Sequence, residues 1–389
     1  MTPAEKFHKF IQERPSLFEG GLSNYTPKTL VDPLLSRIDF TDRDVLVIYN
    51  IEFVIGLVCD YKVDPKRITF YADHTSKIKF AETLGVTNIV TNLNKYETTS
   101  RSVLLINPPY TNGKQDASEV YTPIISKCID QFDPIVVGAI TPENLINGGQ
   151  KKKTLREKIF KKYKLSHLRF LNQKRDWVVP IKVDTISWIV EADYAGPAQV
   201  VSRHFDEPYI VSKPLHEYID GGNQSIHDWM QRIQTDDKVK LRPPKRQRTP
   251  DQQIKITKDT ADSWISEAGE LYESHNEEWR VAFGYLRCNA CAVVPPNITV
   301  PGKYRYLNFG DNEARARKFR KYMLSEPIRF IMKLIYTSRS LDNPQLAYVP
   351  LLNMDKFEDM NDDVLYKYWN VDDETRSQIS KIIGDEIPF

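Results

Sequence analysis

Residues Asn107, Pro108, Pro109 and Tyr110 follow the apolar run Val103 to Ile106 and combine an amide, two prolines and an aromatic ring. Each proline removes a backbone donor and fixes φ, so the pair holds the backbone extended and leaves its carbonyls unused by a helix. The Asn107 Oδ1 and the Pro108 carbonyl can accept the two hydrogens of a planar amino group, while Tyr110 stacks on the ring that carries this group. Accepting both hydrogens turns the nitrogen lone pair toward an electrophile, which is what methylation of an exocyclic amine or an amide requires.

The apolar run indicates where these four residues lie. It predicts a short buried strand that ends at Asn107. In doubly wound α/β sheets, ligands bind outside the carboxyl ends of the strands. A rigid turn is the alternative interpretation, since Asn-Pro commonly opens a turn. The position directly after a buried strand favours the chemical interpretation.

Strand-like and helix-like segments alternate through the first half of the chain, which predicts a mostly parallel, doubly wound α/β sheet. Buried strands are expected at residues 44–50, 67–73, 86–92, 102–107, 134–140, 165–172 and 183–192. Helices are expected at residues 26–38, 52–63, 75–85, 117–132 and 153–163. Thr26 is predicted as the N-cap of the first helix with Pro27 as its first residue, and Gly85 is predicted to close the third helix.

The pattern changes after about residue 197, where the regular alternation stops. Residues 238–258 are basic and contain prolines, which is typical of a loop or ribbon. Residues 313–336 and 362–384 are predicted to be helical. The chain is therefore expected to hold an α/β domain at residues 1–200 and a mixed α+β domain at residues 201–389.

Composition restricts the class of protein. With 41% hydrophobic and 27% charged residues, the chain of 389 residues is typical of a soluble globular protein of two or three domains. No apolar run approaches the ~18 residues of a membrane span, and the polar N-terminal stretch is not a secretory signal. Four cysteines argue against a disulfide framework and indicate a reducing cytosol. The net charge of +2 neither demands nor excludes nucleic acid.

Several segments together resemble one family of enzymes. The sequence NPPY at a strand end resembles motif IV of the amino-methyltransferases that act on N6 of adenine. Residues 24–35 resemble motif X, which lies beside the methionine part of S-adenosylmethionine; residues 135–149 are similar to motif VI, and residues 175–190 to motif VIII. This motif order is the γ arrangement of TaqI-like and Eco57I-like enzymes. Residues 347–374 also resemble the tail of Eco57I-type methylases.

The resemblance implies a site-specific DNA methyltransferase that uses S-adenosylmethionine to methylate N6 of a flipped-out adenine. It implies a Rossmann-like catalytic domain at residues 1–200 and a DNA target-recognition domain at residues 201–389. Double-stranded DNA is the expected partner, and neither a metal nor a membrane is expected. The resemblance also implies a monomer in the cytoplasm, associated with the nucleoid through DNA. It leaves open a separately encoded restriction endonuclease, and a role in restriction–modification or in a phage–host system.

The same resemblance assigns roles to individual residues. Asn107 to Tyr110 are the expected catalytic residues, and Trp177 is a second stacking ring for the target base, with a core or edge tryptophan as the alternative. Asp73 is expected at the ribose hydroxyls, or else as the N-cap of the helix near Thr75. Asn92 or Asn94 is expected at the cofactor adenine, or else as an ordinary loop residue. The complete expected cofactor set is Tyr25, Thr26, Pro27, Tyr49, Asn50, Glu52, Asp73, Asn92 and Asn107.

The loop after the first strand departs from the family pattern. The family usually carries glycine there, so that the backbone can approach the cofactor, whereas the first glycine here is Gly56. Two alternatives follow: Tyr49, Asn50 and Glu52 form a different lip around the cofactor, or cofactor binding is weak or lost. We expect binding, because motifs X and IV are intact.

Basic clusters are the expected contacts to DNA phosphates. Residues 151–164 hold eight basic residues and one acid, although part of this cluster is expected to be a solvated helix face. The second cluster, in the loop at residues 238–258, is better placed for a groove or the backbone. The pair Cys288 and Cys291 has metal-ligand spacing. Because no second pair follows, we favour two partly buried thiols over a zinc site. The expected DNA-binding residues are Lys151, Lys152, Lys153, Lys240, Arg242, Lys245, Arg246 and Arg248.

Other functions share parts of this pattern. NPPY also occurs in methyltransferases of glutamine side chains and of RNA adenines, which usually lack a large C-terminal recognition half. A catalytically weak or inactive methyltransferase-like DNA-binding module is the alternative from another class, and the glycine-free loop supports it. Cofactor binding separates the two classes.

Overall fold

The computed structural model describes residues 26–72, 75–93, 102–110, 120–148, 150–177, 183–211, 220, 222–233, 278–284, 291–296, 304–335 and 348–384. Its largest feature is a nine-stranded sheet. The strands are β1 (Val45–Ile48), β2 (Ile68–Tyr71), β3 (Asn88–Val90), β4 (Val103–Ile106), β5 (Val136–Pro142), β6 (Lys164–Phe170), β7 (Thr185–Glu191), β8 (Ala198–Val201) and β9 (Pro208–Val211).

The sheet order is β3-β2-β1-β4-β5-β7-β6-β8-β9. Strands β3, β2, β1, β4 and β5 are parallel neighbours, whereas β7 is antiparallel to both β5 and β6. The chain builds outward from β1 through β2 to β3 and then returns to place β4 on the other side of β1. This reversal is the topological switch point at which doubly wound sheets bind ligands.

Helices connect these strands. They are α1 (Lys28–Leu35), α2 (Ile51–Ile55), α3 (Thr75–Thr83), α4 (Tyr121–Phe132), α5 (Asn144–Asn147), α6 (Gln150–Lys162) and α7 (Gln173–Asp176). Gly85 follows α3 at φ +87°, a conformation that favours glycine and ends the helix as predicted. The mostly parallel, doubly wound α/β fold is therefore confirmed. None of the helices in the described part of the chain is long and apolar enough to span a membrane.

Alternating residues of the central strands supply the cores on the two faces of the sheet. Leu46, Ile48, Leu104 and Ile106 belong to one buried cluster, which also contains α4. The intervening residues of β1 and β4 belong to a second cluster together with α1 and α2. Because these strands are buried on both faces, they appear in the sequence as continuous apolar runs.

The first two helices differ from the predictions. Thr26 is not the N-cap of α1; Pro27 holds that position, and it makes no side-chain capping bond because it has no donor or acceptor in its side chain. The helix expected at residues 52–63 is instead the short α2 followed by one π-helical turn, Gly56–Asp60. A Cβ on Gly56 would lie 2.7 Å from Leu35 Cδ1, so the glycine allows α1 to pack closely there.

The first compact unit ends at Asn223, beyond the boundary predicted at residue 200. The reason is that β8 and β9 extend the same sheet by pairing with β6 and with each other. The change in sequence periodicity after about residue 197 therefore lies within the sheet and does not mark its end. The function expected for each half of the chain stays a prediction.

The second compact unit, Gln224–Phe389, combines helices with a small antiparallel sheet. The three-stranded sheet has the order β11-β10-β12, with β10 (Arg280–Gly284), β11 (Cys291–Val294) and β12 (Tyr304–Asn308). The helices are α8 (Gln224–Arg232), α9 (Glu313–Met323), α10 (Glu326–Ile335), α11 (Asp362–Tyr368) and α12 (Asp373–Gly384). The helices predicted at residues 313–336 and 362–384 are thus each divided into two helices. Residues 238–258, predicted to be a loop or ribbon, lie outside the described residues.

Gly138, in the middle of β5, provides a test of the packing between the sheet and the segment that follows α1. An added Cβ would lie 2.9 Å from Leu105 Cδ2 and 3.0 Å from Ile38 Cδ1. We expect Gly138→Ala to destabilise the protein by about 1–3 kcal/mol, the usual cost of overpacking a core. Urea denaturation measures this change. Gly384→Ala is the control, because nothing lies within 4 Å of its Cβ, and equal stability of the two variants would contradict the packing at Gly138.

Candidate functional site

The carboxyl ends of β1 and β4 form the candidate site. These strands are parallel neighbours in register, with Ile48 opposite Ile106. The next residues of each chain segment, Tyr49 and Asn50 after β1 and Asn107 after β4, therefore emerge side by side. This is the switch point of the sheet, so the predicted motif IV and the predicted cofactor loop meet where the fold places ligands.

Thr26 connects these two strand ends. Its Oγ1 accepts hydrogen bonds from Asn50 Nδ2 at 2.7 Å and from Asn107 Nδ2 at 2.8 Å. Thr26 is fully buried, and Asn50 is 4% exposed. A hydroxyl that accepts hydrogen bonds from the buried Asn50 amide and from the partly exposed Asn107 amide fixes both side chains, and it therefore fixes which atom each amide presents on its other side.

The orientation of Asn107 follows from these bonds. Because its Nδ2 is held by Thr26, its Oδ1 points away and accepts the Tyr110 hydroxyl at 3.2 Å. Pro108 is buried and Pro109 is exposed. Burial raises the pKa of Tyr110, and the nearby Tyr121 raises it further, so the hydroxyl stays protonated and remains a donor. The Asn107 Oδ1 thus acts as a hydrogen-bond acceptor in the structure, and its predicted role toward a substrate amine stays a prediction.

Tyr110 packs against a second tyrosine, Tyr121. The rings of Tyr110 and Tyr121 meet edge to face, with centroids 6.5 Å apart at 78°. Tyr121 is 1% exposed and its hydroxyl donates to Asn144 Oδ1 at 2.8 Å. Because the Tyr121 side chain is fixed, its ring contact restricts the partly exposed Tyr110 to a position beside Asn107.

The turn from β1 to α2 is built without glycine. Tyr49 has φ +68°, in the left-handed region that favours glycine, so a tyrosine holds a backbone conformation that glycine would adopt at lower cost. Its backbone N–H donates to the Tyr71 carbonyl at 2.8 Å, and its carbonyl accepts from Lys77 Nζ at 3.1 Å. Its ring meets that of Tyr71 edge to face at 5.0 Å. These contacts offset the cost of the unusual conformation.

Asn50 begins α2. Its Oδ1 accepts the backbone N–H of Phe53 at 3.2 Å, which is an N-cap bond, while its amide nitrogen is bonded to Thr26. Both ends of the Asn50 amide are therefore used inside the protein. Its predicted contact to a cofactor stays untested.

Glu52 is a buried carboxyl in the first turn of α2. It is 2% exposed, and burial raises its pKa to about 7. Backbone hydrogen bonds from Glu52 itself and from Thr26, and the charge of Lys77, oppose this shift only in part. Glu52 forms no ion pair within the described residues, so it is a carboxyl that a cationic ligand group would complement.

The raised pKa of Glu52 makes stability depend on pH. The folded state holds the proton more tightly than the unfolded state, whose value is near 4.5, so the contribution is complete below pH 4.5 and is lost as pH rises through about 7. Between these values we expect the free energy of unfolding to fall more steeply in the wild type than in Glu52→Gln, by on the order of 3 kcal/mol. Urea denaturation at pH 4.5 and 7.5 measures this difference. The control is Glu82→Gln, on the exposed face of α3, and parallel profiles for wild type and Glu52→Gln would contradict the burial of this carboxyl.

Trp177 lies in the core cluster on the α1 side of the sheet. It is 9% exposed, and its indole N–H donates to Thr185 Oγ1 at 3.1 Å. This arrangement corresponds to the core alternative for Trp177. The structure does not bring its ring into contact with Tyr110, and stacking on a target base stays a prediction.

The other predicted site residues separate into two groups. Asn92 is exposed after β3, and Pro27 is buried before α1. The remaining ones lie outside the described residues: Tyr25, Asp73, Lys240, Arg242, Lys245, Arg246 and Arg248. Cys288 also lies outside them, whereas Cys291 is a buried free thiol. Within the described ranges, no three His, Cys, Asp or Glu side chains could hold a metal ion.

Helix α6 carries the first basic cluster. Its later cations are used inside the protein: Arg156 donates to the Leu145 carbonyl at 2.6 Å, and Lys158 and Lys162 pair with Asp130 and Asp133. At its start, Lys151 and Lys153 are exposed, and Lys153 pairs with Glu157 at 3.7 Å. Lys151 and Lys153 are therefore accessible to solvent at the start of α6, as Lys161 is near its end, and a contact of this helix with DNA stays a prediction.

Sequence reasoning did not find Tyr121, Asn144 or Lys77. Tyr121 and Asn144 hold Tyr110, and Lys77 holds the turn at Tyr49. Lys77 could have been found, because the first turn of the helix after β2 lies at the same edge of the sheet as the end of β1. The pairing of Tyr121 with Asn144 joins residues 23 positions apart and leaves no local signal.

Comparison with known proteins yields structural similarity only. No protein-family model matches the sequence, and no curated protein matches it. Among solved structures, the type IIG restriction endonuclease BpuSI is similar over 99% of this chain and 63% of its own, with a TM-score of 0.48 and 11% identity. The type I restriction–modification methyltransferase subunit from Streptococcus thermophilus is similar over 56% of this chain and 54% of its own, with a TM-score of 0.36 and 13% identity.

A chain from a structure of the type I restriction–modification system is similar over 59% of this chain and 53% of its own, with a TM-score of 0.39 and 12% identity. The matched part thus spans about half of each type I chain. At such identities and TM-scores, these similarities assign neither family nor activity. What the structure itself defines is a doubly wound α/β protein with an amide, proline and tyrosine site at its switch point.

Proposed function

We propose that the chain is a site-specific DNA methyltransferase that moves a methyl group from S-adenosylmethionine to N6 of a flipped-out adenine. It would act as the modification enzyme of a restriction–modification or phage–host system. One observation carries the proposal: Asn107 stands at the switch point with Nδ2 bonded to Thr26, so that Oδ1 is left as an acceptor beside Tyr110. The solved restriction–modification proteins with a similar fold are consistent with this class.

The proposed chemistry uses two acceptors and one ring. Asn107 Oδ1 and the Pro108 carbonyl accept the two N6 hydrogens, and the amine displaces the Tyr110 hydroxyl from Asn107 Oδ1. The lone pair then lies outside the ring plane and can attack. When bound, S-adenosylmethionine supplies a methyl carbon on a sulfonium, whose carbon–sulfur bond breaks as the nitrogen–carbon bond forms. The nitrogen releases one hydrogen as a proton to solvent, and the acceleration comes mainly from proximity and orientation.

Reaching N6 requires the adenine to leave the duplex stack. Extruding a base costs a few kcal/mol. Stacking of the base on Tyr110 recovers roughly 1–3 kcal/mol. The ring contact with Tyr121 positions the Tyr110 ring before the base binds. Pro109, exposed between Pro108 and Tyr110, keeps the segment extended.

Residues around β1 suit the charges of the proposed cofactor. S-adenosylmethionine carries a sulfonium and an ammonium group, and Glu52 is a buried carboxyl without an ion pair among the described residues. The residues that would hold the cofactor are Thr26 and Pro27 before α1, Tyr49 and Glu52 after β1, and Asn107 after β4. The left-handed backbone of Tyr49 keeps the turn as tight as a glycine turn, and this supports a lip built from larger side chains.

A DNA-binding module without activity is the second candidate. The observation that favours it is the Tyr49 ring, which meets Tyr71 beside the end of β1, where a glycine loop would leave open space. In this case the chain would bind DNA through its basic residues and have no affinity for S-adenosylmethionine. RNA adenines and glutamine side chains are the other acceptors that the motif allows.

One experiment decides between these functions. The full chain is incubated with S-adenosylmethionine labelled in its methyl group and with plasmid DNA, followed by nucleoside analysis and mapping of the modified sites. We expect N6-methyladenine at a defined sequence. Labelled RNA or protein in parallel reactions would assign another acceptor. A separate cofactor-binding titration that finds no affinity for S-adenosylmethionine, with or without DNA, would favour the inactive module.

A further inference from the structure

A buried group of charges lies at the same edge of the nine-stranded sheet as the candidate site. Strands β4, β5, β6 and β8 run in one direction and β7 runs against them, so the ends of β5 and β8 and the start of β7 share this edge. Arg203 follows β8 and pairs with three carboxylates: Glu143 after β5, Asp184 before β7, and Asp220. None of these four residues takes part in the proposed chemistry.

This network is almost closed to water. The side chains of Glu143 and Asp220 are fully buried, and that of Arg203 is 15% exposed. Arg203 donates to Glu143 Oε2 from one end of its guanidinium and to Asp220 Oδ2 from Nε at 3.0 Å. Its third carboxylate, Asp184, lies 3.4 Å from the guanidinium. Three carboxylates thus face one cation, and a buried charge without compensation is strongly destabilising, so the network is most stable when one carboxyl keeps its proton.

Glu143 is the carboxyl that keeps the proton. Burial raises the pKa of Glu143 to about 7; the charge and hydrogen bond of Arg203 oppose this shift, and the charges of Asp184 and Asp220 add to it. Its second oxygen, Oε1, is buried without a hydrogen-bond partner among the described residues. Asp184, in contrast, also accepts the Gln173 amide at 2.9 Å. Glu143 is therefore neutral below about pH 7 and becomes charged above it.

The turn that begins at Glu143 lies beside the proposed catalytic segment. Strand β4 ends at Ile106, which pairs with Ala139 in β5. Strand β5 continues past this pair to Pro142. The turn after β5 is therefore a neighbour of the residues that follow β4.

Glu143 is joined to the residues that hold Tyr110. It is the N-cap residue of α5, and the next residue, Asn144, accepts the Tyr121 hydroxyl at 2.8 Å. The Tyr121 ring in turn contacts the Tyr110 ring edge to face. The position of the turn at Glu143 thus determines where Asn144 meets Tyr121, and Tyr121 determines where the Tyr110 ring lies.

We propose that Arg203 and Glu143 are positioning residues for Tyr110. They act through Asn144 and Tyr121, and they touch neither the target base nor the cofactor. The inference rests on the proposed function, in which Tyr110 is the ring on which the target base stacks.

The charge of Glu143 decides how firmly this turn is held. When Glu143 is neutral, the guanidinium of Arg203 faces two carboxylates and the turn keeps its place. When Glu143 ionises, repulsion from Asp184 and Asp220 in a buried setting displaces the turn, and the Tyr110 ring loses its fixed position. Methyl transfer is therefore expected to slow as pH rises through about 7.

NMR of the full chain, labelled with ¹³C at the tyrosine Cζ, tests this connection without relying on methyl transfer. Tyr110→Phe and Tyr121→Phe identify the two signals. We expect both signals to shift with a midpoint near pH 7 in the wild type. They should not shift in Glu143→Gln, which keeps the shape and an acceptor for Arg203 but cannot ionise. Glu157→Gln removes an exposed carboxyl of α6 and, as the matched control, should titrate as the wild type does.

A second carboxyl near the site titrates in the same range. Glu52 has a pKa of about 7 and accepts the backbone N–H of Thr26, on the β1 side of the site. Glu52→Gln is therefore titrated in parallel. The Tyr121 signal should keep its midpoint in this variant, because Tyr121 is reached from the β5 side through Asn144.

Single-turnover methyl transfer to plasmid DNA connects the network to the reaction. Arg203→Gln should lower the rate at saturating DNA at least about tenfold, because a misplaced group slows a reaction that depends on orientation. The DNA concentration at half-maximal rate should change little, and Arg203→Lys, which keeps the charge, should recover part of the rate. The fall in rate above pH 7 should disappear in Glu143→Gln.

The outcomes separate this inference from the proposed function. If the Tyr110 and Tyr121 signals titrate alike in the wild type and in Glu143→Gln, or titrate in neither, the positioning role is wrong, even in an active methyltransferase. If they titrate as expected but the chain methylates no acceptor, the proposed function fails and the connection from Glu143 to Tyr110 stands.

Discussion

Asn107→Ala is expected to lower the rate of methyl transfer to DNA by about 10²- to 10³-fold, with DNA binding largely retained. The variant removes the side-chain oxygen that is proposed to accept one N6 hydrogen, an interaction that strengthens as the amine becomes a nucleophile. Loss of one preoriented polar contact of this kind typically has an effect of that size. Single-turnover rates with labelled cofactor measure the change, and DNA binding is followed separately by fluorescence anisotropy.

Two further substitutions test the mechanism at Tyr110. Tyr110→Phe removes the hydroxyl that bonds Asn107 Oδ1 at 3.2 Å but keeps the ring, so methyl transfer should be retained. Tyr110→Ala removes the stacking surface and should lose methyl transfer. The control for the loss of an amide is Asn88→Ala, because Asn88 lies at the amino end of β3 and its side chain donates to the Lys66 carbonyl. Methylation by Asn107→Ala at the wild-type rate would eliminate the mechanism, even if the chain is a methyltransferase.

Thr26→Val is expected to lower the free energy of unfolding by about 2–4 kcal/mol. Valine has nearly the same shape but cannot accept the amides of Asn50 and Asn107, and each buried donor left unpaired costs roughly 1–3 kcal/mol. Asn107 is partly exposed and can recover some of this loss from water, whereas Asn50 is buried and cannot. Urea denaturation measures the change.

Thr26→Ser keeps the hydroxyl and should retain most of the stability. The matched control is Thr154→Val, where an exposed hydroxyl bonds only the Gln150 carbonyl of its own helix and the expected change is below about 0.5 kcal/mol. If Thr26→Val were as stable as the wild type, the two amide bonds would not hold the strand ends. In that case the orientation of Asn107 would need another cause.

The sequence predicted the elements of the sheet and the edge at which the site lies. Continuous apolar runs such as Val103 to Ile106 can be satisfied only by strands buried on both faces, and a run that stops at Asn-Pro-Pro marks the strand end. The order of strands and helices in the chain then predicted which strand ends share an edge. These inferences depend on local pattern and need no long-range contact.

The role of Thr26 could not be predicted in the same way. Threonine before proline and an apolar helix is a common N-cap pattern, and the sequence therefore indicated a cap. In the fold, the two amides that reach Thr26 come from residues 24 and 81 positions away, and they use its hydroxyl instead. Local propensity was overridden because a buried acceptor with two donors satisfies more polar groups than a helix cap does.

The sequence by itself determined the doubly wound sheet, the strand ends at which the site lies and the chemical groups that stand there, because periodicity and strand-ending residues are local properties of the chain. Only the tertiary structure decided that Thr26 holds the Asn107 amide nitrogen, that Tyr49 adopts a left-handed backbone, and that Trp177 is buried in the core. It also placed Glu143 and Arg203, distant in sequence, in one buried network. Such facts depend on which side chains meet when the sheet assembles, and hydrogen bonds and packing between remote residues leave no pattern along the sequence.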